Sequence, residues 1–353
     1  MNSSPQQNRP GASSGNPDPD ACLDDPYLHS QYRLARIDDH PIMNDEVVFG
    51  GAAIDGLYRA VRMAVMIRAM GLWCAAETGA GKTFGARAVV QRLAEEFPRV
   101  ASVTVNTRNL QSPSIRHFYQ GLLTRTDCRL LSGETGQLID RLLARLQEMV
   151  PSSGMRVVVL FVDEAHSLRH DELLFLRDLD NDLVNQRIRL IPILIGETPD
   201  LEALISRVQN GRPRGLAARF ARRQIAFPRL NSVERLQELL SQFDVLSYPS
   251  EAWPFSRYFV PRAFDAGFRL GNEATNLASA IEHCSGLPLA NGVPNRELLV
   301  AVRCMLRSLA QSDSDTLKLD STIWTEACED ASIAEAMHGC VQSAARTVAG
   351  APE

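Results

Sequence analysis

The sequence predicts an α/β protein: a parallel sheet flanked by helices and followed by a small all-helical domain. Three observations carry that prediction. The runs "RVVVLFVDE" (156–164) and "IRLIPILIGE" (188–197) are apolar without alternation, as strands buried on both faces are. Helical periodicity lies before, between and after them, and such alternation builds right-handed βαβ units and a parallel sheet. Beyond about Phe227 only helical patterns remain.

Taken in order, residues 51–70 place Ile54, Leu57, Val61 and Val65 at helical spacing. "GLWCAAE" (71–77) reads as a short buried strand, "TGAGKT" (78–83) as a turn, and "FGARAVVQRLAEEF" (84–97) as a helix stopped by Pro98. In "RVASVTVNT" (99–107), Val103 and Val105 alternate with polar residues, which gives a second strand. Residues 114–124 and 134–149 follow as helices, the latter with Leu138, Leu142 and Leu146 on one face. The two apolar strands come next, with helices at 171–186 and 200–208. "NSVERLQELLSQF" (231–243) opens the helical domain, and a proline- and aromatic-containing segment, "YPSEAWPFSRYFVP" (248–261), precedes helices at 273–284 and 295–310. "QSDSD" (311–315) reads as a linker, and the tail beyond it as one or two marginal helices. No internal repeat is visible.

Composition narrows the function classes. The 353 residues carry 37 basic against 42 acidic side chains, so any DNA contact must come from a local patch. Seven cysteines form no CxxC pair, which argues against a zinc cage or a disulfide framework. The longest apolar stretch, 60–76, is broken by Arg62 and Arg68 and is too short to span a bilayer. The first twenty residues lack a signal pattern and have too little apolar surface to bury a core. The expectation is a cytoplasmic protein.

The chain has only two lysines, Lys82 and Lys318, while arginine is abundant. One of the two stands where a phosphate-binding loop needs it. Such a loop takes backbone N–H groups in a glycine turn, a lysine for the outer phosphates, and a hydroxyl for Mg²⁺ at the start of the next helix. Here Gly79 and Gly81 supply the turn, Lys82 the ammonium and Thr83 the hydroxyl. Thr78, Ala80 and Phe84 complete the ATP-binding stretch Thr78–Phe84. Ala76 replaces the usual first glycine, which alanine can do if φ there is negative. The strand 156–164 ends in Asp163, a Mg²⁺ ligand through its shell, and Glu164, a base for the attacking water. "DEAH" invites a helicase reading, but the second lobe that such enzymes need is not visible. Thr198 or Glu197 at the end of the fourth strand is placed to sense the γ-phosphate. Arg219 in "LAARF" is a candidate arginine finger for a neighbouring subunit, with Arg222 or Arg223 as alternatives.

"ETGAGKT", "FVDEAHSL", "ILIGETPDL", "LAARF" and "FPRLNSVERLQELL" come in the order and spacing of AAA+ ATPases. Over about residues 45–310 the chain resembles the TnsC/TniB transposition regulators, with MuB and the ExeA-like ATPases as relatives. The resemblance implies a P-loop AAA+ sheet with a helical lid. It also implies ATP and Mg²⁺ as cofactors, Lys82, Thr83, Asp163 and Glu164 as the nucleotide site, and Arg219 as the finger. It further implies oligomers on double-stranded DNA, in a ring or a helix, target-site selection with an adaptor protein, and recruitment of a transposase. The segment "NTRNLQSPSIRHF" would face the DNA, with Arg108, Asn109, Ser114 and Arg116 as candidate contacts. Where the family often has a lid arginine after "GLP", this chain has Leu289, and slow, assembly-dependent hydrolysis is the expectation. The expected division is a disordered tail 1–40, a nucleotide-binding domain 41–227, a lid 228–310, and a linker with tail 311–353.

Three other classes compete. A replication loader would be expected to carry a C-terminal winged helix, and a secretion-type ATPase a membrane segment and a cell-wall domain. A nucleotide-dependent scaffold acting on a protein partner without DNA is the main alternative.

Overall fold

The computed structural model describes residues 30–107, 114–211, 215–220 and 222–349, with the backbone alone described at Tyr32 and at 343–349. In chain order the elements are α1 (Ser30–Ala35), α2 (Ala52–Ile67), β1 (Leu72–Ala76), α3 (Lys82–Glu96), β2 (Ala101–Asn106), α4 (Ile115–Arg125), α5 (Thr135–Met149), β3 (Val157–Asp163), α6 (His170–Asn185), β4 (Arg189–Glu197), α7 (Asp200–Asn210), α8 (Gly215–Phe220) and β5 (Arg223–Gln224). The helical part continues with α9 (Val233–Phe243), α10 (Phe255–Phe259), α11 (Pro261–Asp265), α12 (Ala274–Ser285), α13 (Asn295–Leu309), α14 (Ser321–Asp330) and α15 (Ile333–Ala349).

The five strands form one sheet in the order β2-β3-β4-β1-β5, with every pairing parallel. The period of two in a strand divides each run between two cores. From β3, Val158, Leu160 and Val162 pack under α4, α5 and α6 with Leu123, Leu142 and Leu176. Val157, Val159 and Phe161 pack on the other face under α2 and α3 with Leu57, Val61 and Val89. This is why the run reads as continuously apolar: both faces are covered.

The helices from α9 onward enclose a third core, in which Leu240, Phe259, Leu277, Ile281, Val302 and Leu306 are buried. Its extent differs from the expected division at both ends. Trp324, Ala327, Cys328, Ile333 and Met337, from the expected tail, belong to this core, and so do Ile37, Ile42 and Phe49. "QSDSD" is tied down as well: Asp313 accepts the N–H groups of Arg262 and Ala263, both at 3.0 Å. These contacts join residues about fifty positions apart. The local sequence of α14, with Ile323 and Trp324 side by side among small, polar and acidic residues, gives no helical period that would announce them. Among the described residues no helix is long and apolar enough to cross a membrane.

Candidate active site

The phosphate-loop sequence lies between β1 and α3. Ala76 is the last residue of β1, buried and in register with Glu197 of β4, so an extended residue with a Cβ fits. The glycine requirement falls later. Gly79 and Gly81 have φ of 77° and 86°, the left-handed region that glycine enters at no steric cost. A second constraint acts on both. A Cβ at Gly79 would sit 2.8 Å from Pro294 Cβ, and one at Gly81 would sit 2.6 Å from Asn295 Nδ2. The helical domain therefore rests directly on the loop.

Lys82, 7 % exposed, curls back over the loop, its Nζ donating to the carbonyls of Ala76 at 3.1 Å and Glu77 at 3.0 Å. Its closest anion is Glu197, with Oε1 at 3.6 Å. Thr83 Oγ1 donates to Asp163 Oδ2 at 2.8 Å, joining the first turn of α3 to the end of β3. Asp163 Oδ1 accepts the N–H of Glu164 at 3.0 Å. Glu164 itself adopts a left-handed φ of 56°, a conformation a non-glycine residue holds at some cost and one that turns its carboxylate off the strand. That carboxylate is half-exposed, 3.5 Å from His166 Nδ1. Thr107, at the end of β2, braces the turn, its N–H donating to Asp163 O at 3.1 Å and its hydroxyl contacting Glu164 O and Ser167.

Thr78, Gly79, Ala80, Gly81, Lys82, Thr83 and Phe84 lie together in the loop and first turn, and all but Thr78 border a cavity of about 370 Å³, as do Glu164 and Glu197. Its apolar lining comes from both domains, Ile54 and Phe227 from the α/β core and Phe49, Leu230 and Leu239 from the helical core. A cavity of this size, lined by apolar side chains together with a glycine turn and a lysine, suits a nucleotide in size and chemistry. Thr83 and Asp163 offer hard oxygen donors of the kind Mg²⁺ takes, its remaining ligands being phosphate and water. Among the described residues no cluster of three His, Cys, Asp or Glu side chains forms a metal cage of its own.

Thr198, Arg219, Ser114 and Arg116 do not border the cavity. Of the pair at the end of β4, Glu197 borders the cavity and bonds Thr78 Oγ1 at 3.0 Å, while Thr198 donates its backbone N–H to Ala76 O at 3.1 Å. Arg219, in the last turn of α8, is held by α6: Nη2 donates to Asn181 Oδ1 at 2.7 Å, Nη1 to Arg177 O at 3.1 Å, and Nε lies 3.5 Å from Asp180. Burial raises the Asp180 carboxyl above its ordinary range, and Arg219 offsets this in part. Arg222 and Arg223 are exposed. Ser114 is the N-cap residue of α4, and Arg116 is exposed on that helix's first turn. Arg108 and Asn109 lie outside the described residues.

Sequence reasoning missed the residues that the helical domain brings to the site. Leu289 is buried, but Arg235 and Arg296 border the cavity, Arg296 from the start of α13. Arg229 and Asn295 touch the loop itself. The stretch "GVPNRELL" carries a helix-start signal in Pro294, yet nothing local says that the turn it opens abuts residues over two hundred positions earlier.

The fold is that of the AAA+ proteins. The family profile described as AAA domain matches residues 68–205, from the end of α2 into α7. No curated protein sequence matches the chain. Among solved structures, the chain is similar to the Aeropyrum pernix ORC2 protein (ADPNP-ADP complexes), with a TM-score of 0.52, 14% identity, and coverage of 79% of this chain and 66% of that one. It is also similar to the Aeropyrum pernix ORC1 protein in complex with DNA (TM-score 0.49, 18% identity, 82% and 67% covered). Drosophila ORC bound to DNA matches as well (TM-score 0.47, 16% identity, 93% and 69% covered). The chain thus spans about two thirds of the length of each of these proteins.

Proposed function

We propose that the chain is a slow, assembly-dependent ATPase that oligomerises on double-stranded DNA and regulates transposition, selecting target sites and recruiting a transposase. The observation that carries the ATPase reading is the meeting of Lys82, Thr83 and Glu164 at one cavity with an apolar lining, with Asp163 bonded to Thr83 behind it. Bound Mg²⁺ would neutralise charge on the outer phosphates. Lys82, already desolvated and aimed by two carbonyls, faces those phosphates as a fixed cation. Glu164 takes the proton of the attacking water, and its left-handed turn brings the carboxylate to the cavity while Asp163 stays with Thr83. Displacement of Glu197 from Lys82 by a phosphate would signal occupancy to β4. Support for the DNA and transposition part is the ordered set of five motifs. A protein that leaves target choice to partners needs only backbone contacts to DNA, and Arg116 is exposed for one.

Sedimentation with and without ATP and duplex DNA tests the whole reading. Wild-type protein should assemble only with both. Lys82→Ala should bind no ATP and remain dispersed. Glu164→Gln should bind ATP, hydrolyse it at least about a hundred-fold more slowly, and form longer-lived assemblies. Assembly that needs ATP but is indifferent to DNA would replace the DNA reading by a scaffold acting on a protein partner. Unchanged ATP affinity in Lys82→Ala would overturn the site.

A further inference from the structure

Five consecutive carbonyls of the phosphate loop, Ala76 to Ala80, each accept hydrogen bonds. The first two are held from within the α/β domain: Ala76 O by Thr198 N and Lys82 Nζ, and Glu77 O by Lys82 Nζ and Ala80 N. The next three are held from the helical domain. Arg229 forks onto Thr78 O, with Nε at 3.0 Å and Nη2 at 2.6 Å, while its Nη1 lies 3.0 Å from Glu77 Oε2. Asn295 takes the remaining two, its N–H donating to Gly79 O at 2.8 Å and its Nδ2 to Ala80 O at 2.9 Å.

Both residues are built into place. Arg229 is 7 % exposed and lies against Gly292, where a Cβ would come within 2.7 Å of Arg229 Cβ. The Val293 N–H donates to Leu230 O at 2.8 Å and fixes these two stretches to each other. Asn295 is the first residue of α13, so its N–H has no partner within the helix and is available to the loop. In a trans peptide the C=O and N–H point in opposite directions. Holding the carbonyls of Thr78 and Ala80 toward the helical domain therefore turns the N–H groups of Gly79 and Gly81 to the other side. Those are the donors a phosphate requires.

We propose that Arg229 and Asn295 are positioning residues that make docking of the helical domain and a phosphate-ready loop one and the same state. Occupancy is then passed to the helical domain through the loop's carbonyl side. The inference rests on the reading of the cavity as a nucleotide site. By linkage, a ligand on the loop tightens domain docking and docking tightens the ligand by the same factor.

Two variants test it. Asn295→Asp sets a carboxylate against Ala80 O, and Arg229→Lys keeps the charge but loses the fork. The first readout is amide hydrogen exchange over residues 77–83 in nucleotide-free protein. The second is affinity for ADP and for a non-hydrolysable ATP analogue. Both variants should speed loop exchange and weaken both nucleotides about ten-fold, the worth of one hydrogen bond. Exchange in β3 should stay unchanged, which separates positioning from general destabilisation. In wild-type protein, ADP should slow exchange at residues 292–298, and the variants should lose that protection. Unaltered loop exchange in both variants would overturn the proposal. Loop exchange is read without ligand, so altered exchange would uphold the clamp even if wild-type protein bound no ADP, a result that would sink the nucleotide reading alone.

Discussion

His40 is fully buried, and four aromatic rings, those of Tyr248, Phe255, Tyr258 and Phe259, surround it at centroid distances of 4.6 to 5.0 Å. Its Nδ1 accepts the N–H of Ile42 at 3.3 Å, which places the proton of the neutral ring on Nε2. Burial pushes its pKa down to about 3. Between pH 6.5 and 3 the unfolded chain therefore takes up a proton that the folded chain refuses, and stability falls as pH falls through that window. The slope is at most about 1.4 kcal/mol per pH unit. Unfolding free energies from urea titration at pH 7 and pH 5 should differ by roughly 2 kcal/mol more in wild-type protein than in His40→Gln. Parallel losses in the two proteins would place the titrating group elsewhere. At this scale the sequence was legible where one residue type has one use. A lysine in a lysine-poor chain marked the phosphate loop, and an acidic pair ending an apolar run marked the end of β3. Arg229 and Asn295 were not legible, because their role is a distance to a loop far away in sequence.

For whole elements, legibility followed periodicity. The expected positions of α2, α5 and β3 fall within a few residues of those observed, since each repeats an apolar residue at the spacing of its own geometry. The short helices α10 and α11 carry their core residues in clusters too brief to show a period, and α14 sets Ile323 beside one large aromatic residue in a polar setting. That residue, Trp324, is fully buried, and its Nε1 donates to Glu273 at 3.4 Å. Trp324→Ala should cost about 3–5 kcal/mol in chemical denaturation, the price of a large cavity. Since α13 bears Asn295, the same variant should weaken nucleotide binding although Trp324 is not among the residues bordering the cavity. A cost below about 1 kcal/mol would mean that α14 packs as an accessory rather than as part of the core.

For the molecule as a whole, the proposed arginine finger is a question about copies of the chain. Arg219 is held by α6 and is not among the residues bordering its own chain's cavity, so any catalytic role must be played on a neighbour. Arg219→Ala should bind ATP as a single protomer and lose most of its turnover. Mixing it with Glu164→Gln gives a sharper test than either alone. Each variant lacks a different half of a shared site, so a randomly mixed head-to-tail assembly should regain activity at about a quarter of its interfaces. No recovery on mixing would confine Arg219 to holding α6.

The segment around residues 37–51 has a consequence for grafting. Ile37, Ile42 and Phe49 belong to the helical core, and Gly50 donates its N–H to Gln242 at 2.6 Å. Asp45, Val47, Phe49, Gly50 and Gly51 also border the cavity. The stretch recognisable by comparison, 68–205, holds Lys82, Thr83, Asp163 and Glu164 but, of the large apolar residues that border the cavity, only Phe84. Excised or transplanted, that block would carry the candidate site residues without most of the cavity's apolar lining. A chimera that exchanges the helical domain must therefore splice the chain on both sides of the block, before α2 as well as after β5, because the piece being exchanged is spatially continuous but genetically split.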